Sequence, residues 1–316
     1  MVSLSPSPAS NYRGRLAPSP TGYLHVGHAR TFWTAFERAR DAGGTLVMRM
    51  EDLDPDRCRA SYAEAAIEDL RWLGIRWQEG PDEGGPFAPY VQSLRRASYL
   101  AVWRKLLERG FIYPCRCSRK DLETALAAPH ESSSDPPGSG ELEPLDDEPV
   151  YPGTCRPSNC HGSQDRVFQP RYPVVREIET PEGINWRFCV PDGEAIEFED
   201  GNLGPQRFVA GKDFGDFVVW RRDGVPSYQL ACVADDAAMG ITEVVRGADL
   251  LKSTARQILL NRALCYGDPA WFHCDLMVDQ NGRRLAKRHD SLSLRTLRAR
   301  GLTPVNILSG ELPVEV

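Results

Sequence analysis

Arg13-Gly14-Arg15-Leu16-Ala17-Pro18-Ser19-Pro20-Thr21-Gly22-Tyr23-Leu24-His25-Val26-Gly27-His28 is the stretch on which the fold turns. A short strand over 13–17 runs into the Pro and Gly turn chemistry of 18–22, which neither a strand ladder nor a helix interior accommodates. A helix is predicted from about 24 to 40, with Phe32, Trp33, Phe36 and Ala39 on its apolar stripe and Gly43-Gly44 as its stop. The start of such a helix offers unpaired N–H groups and partial positive charge to an anion. Gly27 would let a ligand approach the backbone, and the imidazoles of His25 and His28 can donate to phosphate oxygens. These residues are candidate nucleotide contacts. The alternative for the two histidines is that they cap or pack at the helix start.

Outward from this stretch, strand and helix alternate. A second strand is predicted over 45–50, with helices over 61–73 and 91–109. That order points to a parallel, nucleotide-binding type of sheet. The pattern breaks at Phe111, where Cys, Pro and Gly cluster up to about residue 171. Short alternating strands over 174–178, 186–190, 195–198 and 217–221 predict a β-rich insertion. Helical pattern resumes at 227–239 and 253–265, around a strand at 241–245.

With 316 residues, 41% apolar and 26% charged, the chain can bury a substantial core. No stretch is long and apolar enough to cross a bilayer and the Ser/Pro-rich 1–11 has no basic leader, so a cytoplasmic protein with a disordered N-terminus is expected. The net charge of −6 argues against a nucleic-acid partner until its distribution is considered. Glu131, Asp135, Glu141, Glu143, Asp146, Asp147 and Glu148 stand in 131–150 with no Lys or Arg, so the rest of the chain is close to neutral. The stretch 129–149 lacks the apolar residues needed to offset its ordering entropy and reads as a flexible acidic loop. Arg283, Arg284, Lys287, Arg288, Arg295, Arg298 and Arg300 face only Asp290 within 281–300, which permits a polyphosphate or tRNA site.

Nine cysteines without a secretion signal read as thiols or metal ligands. Cys115-x-Cys117, Tyr151-x-x-x-Cys155 and Cys160-His161 have the short spacing of a structural Zn²⁺ site in a loop-rich insert. A count of thiols alone would select Cys115, Cys117, Cys155 and Cys160. Cys58, Cys189, Cys232, Cys265 and Cys274 show no ligand spacing and read as buried thiols.

His25-Val26-Gly27-His28, preceded by Arg15-Leu16-Ala17-Pro18-Ser19-Pro20-Thr21-Gly22, resembles the signature of the class I aminoacyl-tRNA synthetases of the glutamyl and glutaminyl group. Their second ATP motif is matched by Arg284-Leu285-Ala286-Lys287, in which Ala286 replaces the usual Ser. Met48-Arg49-Met50-Glu51-Asp52-Leu53-Asp54, the block from Tyr228 to Asp236 and the block from Ile241 to Leu251 extend the resemblance over roughly 13–309. It implies an α/β, Rossmann-like catalytic domain with a zinc-containing, β-rich insertion and no anticodon-binding domain. The corresponding division is 12–112, an insertion at 113–225 and a second catalytic half at 226–316. It also implies that His25, Gly27, His28 and Lys287 bind ATP with its Mg²⁺, His25, His28 and Lys287 acting catalytically. Arg15, Ala17, Ser19, Glu51, Tyr228 and Arg246 would hold L-glutamate. Glu51 would take the α-ammonium, and Arg246 the side-chain carboxylate, which a guanidinium can grip bidentately. A structural ion pair of Arg246 with Glu243 or Asp249 is the alternative.

Within this family, Tyr151-Pro152-Gly153-Thr154-Cys155-Arg156 and the end of the chain soon after Lys287 resemble the glutamyl-queuosine branch. That likeness implies zinc held by Cys115, Cys117, Tyr151 and Cys155, one ion per chain, with Cys160 the rival to Tyr151. It further implies a monomer that forms glutamyl-adenylate without tRNA and passes glutamate to queuosine-containing tRNA(Asp). A truncated enzyme charging the tRNA 3′ end and an inert tRNA-binding paralogue are the alternatives.

Overall fold

A computed structural model describes residues 11–118, 121, 149–158, 180–277 and 293–310. The first strand, β1 (Arg13–Leu16), pairs in parallel with β2 (Thr45–Met48), and helix α1 (Val26–Asp41) makes the crossover. A parallel pair needs such a crossover, because a tight turn can only reverse the chain. Gly43 closes α1 with φ 59°, a left-handed conformation that glycine adopts without cost. The buried stripe of α1 is Val26, Ala29, Phe32, Ala35 and Ala39. Trp33 and Phe36, expected on that stripe, are half-buried and pack on each other with centroids 5.4 Å apart. Small alanines let the helix lie close on the sheet, so the bulky aromatics fall to its flank.

Helix α2 (Ala60–Trp72) follows β2. The helix predicted over 91–109 is instead a 3₁₀ turn, Gln92–Arg95, and then α3 (Arg96–Glu108). The buried Arg95 side chain accounts for the break: it reaches Asp235 and the carbonyls of Phe87 and Pro89. Next, β3 (Ile112–Cys115) pairs antiparallel with β4 (Asn185–Phe188), and β4 with β7 (Phe217–Trp220). Between them lies the hairpin of β5 (Ala195–Asp200) and β6 (Gly204–Val209). Helix α4 (Tyr228–Ala238), β8 (Glu243–Gly247), a 3₁₀ turn Ala248–Leu250, α5 (Leu251–Leu264) and β9 (Ala270–Cys274) succeed it. Two short helices, α6 (Leu294–Ala299) and α7 (Pro304–Ser309), end the described chain.

The four-stranded sheet runs β6-β5-β9-β8, with β9 parallel to both β8 and β5. The hairpin strands therefore do not form a separate sheet with β4 and β7, although all lie within 113–225. In turn, β8 stands beside β1: Thr242 N donates to Arg13 O at 2.9 Å, and the Arg15 guanidinium crosses to Val245 O at 2.7 Å. One apolar core, holding Leu16, Phe32, Leu46, Met48 and Leu70, seals α1 and α2 onto this region. A larger one collects Trp103, Trp186, Phe188 and Trp220, each worth about 1.5–3 kcal/mol or more on burial. Among the described residues no helix is long and apolar enough to cross a membrane. The acidic run 131–148, the strand expected at 174–178, Cys160 and the basic run up to Asp290 lie outside the described residues.

Candidate active site

Past the end of β1 the chain is pinned to the end of β2, with Arg49 N donating to Leu16 O and Glu51 N to Pro18 O. These bonds set Ala17 and Ser19 beside Glu51, on the same edge as the start of α1. Glu51 is buried, and its Oε1 takes both Arg49, at 2.9 Å, and the Cys232 thiol, at 3.5 Å. Its other oxygen accepts no hydrogen bond among the described residues. Arg49 is wholly buried and also binds Asp236 at 2.6 Å and approaches Asp235 at 3.8 Å. Burial opposes its charge, but Asp236, Glu51 and Asp235 outweigh that and hold the guanidinium well above the usual arginine range. Burial also pushes the Cys232 thiol upward, so it stays protonated beside Glu51.

Arg246 in β8 is likewise buried, 5% exposed. Its Nε donates to His273 Nε2 at 3.2 Å, Nη1 to Gln257 at 2.9 Å and to Tyr228 Oη at 3.4 Å, and Nη2 to Thr254 at 2.7 Å. Every one of these partners is neutral. Glu243, a possible ion-pair partner, is taken by Arg38 and Tyr12 instead. Among the described residues Arg246 makes no ion pair with a carboxylate. Of the five guanidinium donors, one Nη2 hydrogen is unused and the Tyr228 contact is long. Tyr228, at the first turn of α4, feels Cys232, Arg246, Glu51 and Arg15 together, and burial, ahead of these, pushes its phenol upward. The geometry thus brings Arg15, Glu51 and Arg246 within electrostatic reach of Tyr228.

His25 and His28 cap α1 reciprocally. His25 Nδ1 accepts from Gly27 N at 3.1 Å, His28 Nδ1 accepts from His25 N at 3.3 Å, and the rings stack 3.8 Å apart. Capping and phosphate contact are therefore compatible readings: with Nδ1 accepting, each neutral ring carries its proton on Nε2 as a donor. A Cβ on Gly27 would lie 3.0 Å from the His25 ring, so glycine here keeps room for the stacked imidazole.

The sulfurs of Cys115, Cys117 and Cys155 lie within 4.8 Å of one another, a group able to hold a metal ion. Tyr151 Oη is 3.4 Å from Cys115 Sγ and 3.6 Å from Cys117 Sγ, while Cys117 and Cys155 are 3.5 Å apart. Tetrahedral coordination requires about 3.8 Å between two thiolates and about 3.5 Å from thiolate to oxygen, so the donor set fits a zinc ion. Arg187 reaches Cys115 Sγ at 3.3 Å and stacks over the Tyr151 ring, a cation that favours anionic ligands. Of the remaining thiols, Cys189 and Cys232 are buried as expected. Cys265 is exposed, because it ends α5 in a left-handed turn at φ 58°.

The family model for the catalytic domain of class I tRNA synthetases (E and Q) matches residues 11–142 and 172–311. The chain belongs to this family. A glutamyl-Q tRNA(Asp) synthetase from Nitratidesulfovibrio vulgaris is 47% identical over 295 residues, 93% of this chain and 83% of that protein. Its namesake from Symbiobacterium thermophilum is 46% identical, over 93% of this chain and 84% of its own length. Glutamate–tRNA ligase 2 of Nitrosococcus oceani is 40% identical, but the chain spans only 56% of it. The crystal structure of a glutamate tRNA ligase from Elizabethkingia meningosepticum, in complex with its amino acid, superposes with a TM-score of 0.67 at 28% identity, over 92% of this chain and 53% of that one.

Lys287 of this class I synthetase lies outside the described residues, as do Arg284 and Ala286. Around Arg246 stand residues that motif reading does not reach: His273, Thr254 and Gln257, with Asp200 behind His273. The signal for His273 is the alternation of β9, which points Trp271 and His273 to the buried side. The sequence reading places no strand over 270–274, so by itself it gives His273 no role. Arg49, Asp235 and Asp236 fall inside the motif stretches 48–54 and 228–236, yet their mutual pairing is visible only in space.

Proposed function

We propose that this synthetase activates L-glutamate with ATP·Mg²⁺ to glutamyl-adenylate, without tRNA, and esterifies the glutamate onto queuosine of tRNA(Asp). The observation that carries the amino-acid reading is Arg246, a buried guanidinium whose partners are all neutral. A buried cation without a counter-ion is costly unless a ligand supplies the anion, and a side-chain carboxylate does so. The neutral amide of glutamine does not. Glu51, with one oxygen uncommitted, receives the α-ammonium; Arg15, Ala17 and Ser19 line the rest of the site. The α-carboxylate is then left to attack the α-phosphate in line, so the protein contributes alignment and charge stabilisation. His25 and His28 donate through Nε2 to the phosphates, and Gly27 supplies the space between them. Lys287 meets the departing pyrophosphate; Ser293 and Leu294, on its C-terminal side, support this by bonding back to His25 and Leu24.

Zn²⁺ held by Cys115, Cys117, Tyr151 and Cys155 would cross-link β3 to the segment at 151–155 and play no chemical part in the reaction. The queuosine assignment rests on the names of the two relatives that this chain covers at 83–84%. Transfer to the tRNA 3′ end is the second reading, favoured by the 40% identity to a glutamate–tRNA ligase. Labelled glutamate incubated with ATP and tRNA(Asp) with or without queuosine decides between them. Labelling only of the queuosine-containing tRNA supports the proposal, and equal labelling of both moves the product to the 3′ end. Metal analysis of the same preparation should find zinc, lost in Cys115→Ala and in Tyr151→Phe; retention in the latter would bring in Cys160.

A further inference from the structure

Arg246 is aimed by a chain of buried polar groups that crosses three strands of one sheet. Asp200 ends β5, His273 lies in β9 opposite Arg246 in β8, and the latter two are register partners in the parallel pair. Asp200 and His273 are 2% and 0% exposed. The Asp200 carboxylate is itself immobilised: Oδ1 accepts from the backbone N–H groups of Asn202, Leu203 and His273 at 3.0–3.2 Å. Its Oδ2 lies 2.6 Å from His273 Nδ1.

The geometry points to Asp200 and His273 as positioning residues that decide how the synthetase reads the side-chain carboxylate of its amino acid. This inference rests on the glutamate pocket proposed above. A carboxylate on Nδ1 keeps the imidazole proton there, so Nε2 presents a lone pair. That lone pair accepts the Nε–H of Arg246, with Thr254 Oγ1 at 3.1 Å from the same nitrogen. With Nε engaged, the guanidinium cannot take a carboxylate along its Nε edge. It must present the Nη edge, where the contact to Tyr228 is long enough to yield. Charge agrees with this arrangement: burial and then the adjacent Arg246 push His273 down to about 4, so the ring stays neutral beside the guanidinium. Without the carboxylate the ring could turn its N–H toward Arg246, donor against donor.

The test is ATP–pyrophosphate exchange driven by glutamate, with KM and kcat resolved separately and thermal midpoints recorded. His273→Leu removes the acceptor and should raise KM for glutamate about tenfold or more, the loss of one hydrogen bond to a charged group, with KM for ATP nearly unchanged; because it also strips Asp200 Oδ2 of its partner, its midpoint should fall, and KM is read below that midpoint. His273→Gln, which can return an amide oxygen to Arg246, should recover most of that loss; a general packing defect would not be rescued in this way. Asp200→Asn should raise KM for glutamate roughly threefold or more by releasing the tautomer, and it decides by the same criterion if His273→Leu does not fold. Wild-type KM for glutamate in the folded variants overturns the inference, provided that Arg246→Gln shows its expected loss of glutamate activation. Full exchange in Arg246→Gln would instead remove the glutamate pocket itself.

Discussion

Arg49 at the end of β2 and Arg246 in β8 are both buried guanidiniums, 0% and 5% exposed, but the charges around them differ. Carboxylates of Glu51, Asp235 and Asp236 surround Arg49. Arg246 meets a phenol, an amide, a hydroxyl and a neutral imidazole. Depth alone therefore does not tell a structural arginine from one that binds. A cation neutralised within the fold holds elements together, here β2 against α4, whereas one held by neutral dipoles retains its demand for an anion. In the first case removal strips acids of their partner; in the second it removes a ligand contact.

The largest effect expected from this contrast is in Arg49→Met. It leaves buried carboxylates uncompensated and should cost about 3–5 kcal/mol of stability in a denaturant titration. A loss below about 1 kcal/mol would mean that the acidic cluster protonates or finds other partners, and the contrast would weaken. Arg246→Gln should spare stability yet weaken glutamate activation by about 2–5 kcal/mol, some thirtyfold at least in the specificity constant. An Arg246→Gln protein as unstable as Arg49→Met would make both arginines structural.

Titration of the buried neighbours sharpens the comparison. His273 has a folded-state pKa of about 4 against an ordinary 6.5, so between these values the unfolded chain binds more protons. Stability should accordingly fall as pH drops from about 6.5 toward 4, by about 3 kcal/mol, and His273→Gln should flatten that part of the profile. An unchanged profile would mean that the imidazole titrates in the fold as it does in the unfolded chain, against the neutral shell drawn for Arg246. The smallest effect concerns Asp69 in α2, which is buried with neither carboxylate oxygen hydrogen-bonded. Burial raises it to about 6 from 3.8. The native state then holds this proton more tightly, and stability is lost as pH rises from about 3.8 through 6, with no further loss above. Asp69→Asn should be about 1–2 kcal/mol more stable than the parent near pH 8 and equal to it near pH 4. If the variant is no better at pH 8, an unpaired buried acid is tolerated here and the charge argument loses its converse case.

Local chemistry written along the chain determined a good deal. The turn at 18–22, the small-residue face of α1 and its glycine stop specify the crossover, because proline, glycine and apolar spacing act over a few residues. The cysteine spacing likewise anticipated a thiol group, since Cys115 and Cys117 leave one strand end together. Tertiary structure alone decided which charges meet. Arg49 finds Asp236 across 187 residues of sequence and His273 finds Asp200 across 73. It decided, too, that the β5–β6 hairpin joins β9, which brings Asp200 to the histidine behind Arg246. The reason is physical: propensity and periodicity are local, whereas the partner of a buried ion is set by which strands lie side by side, and no spacing in the sequence records that.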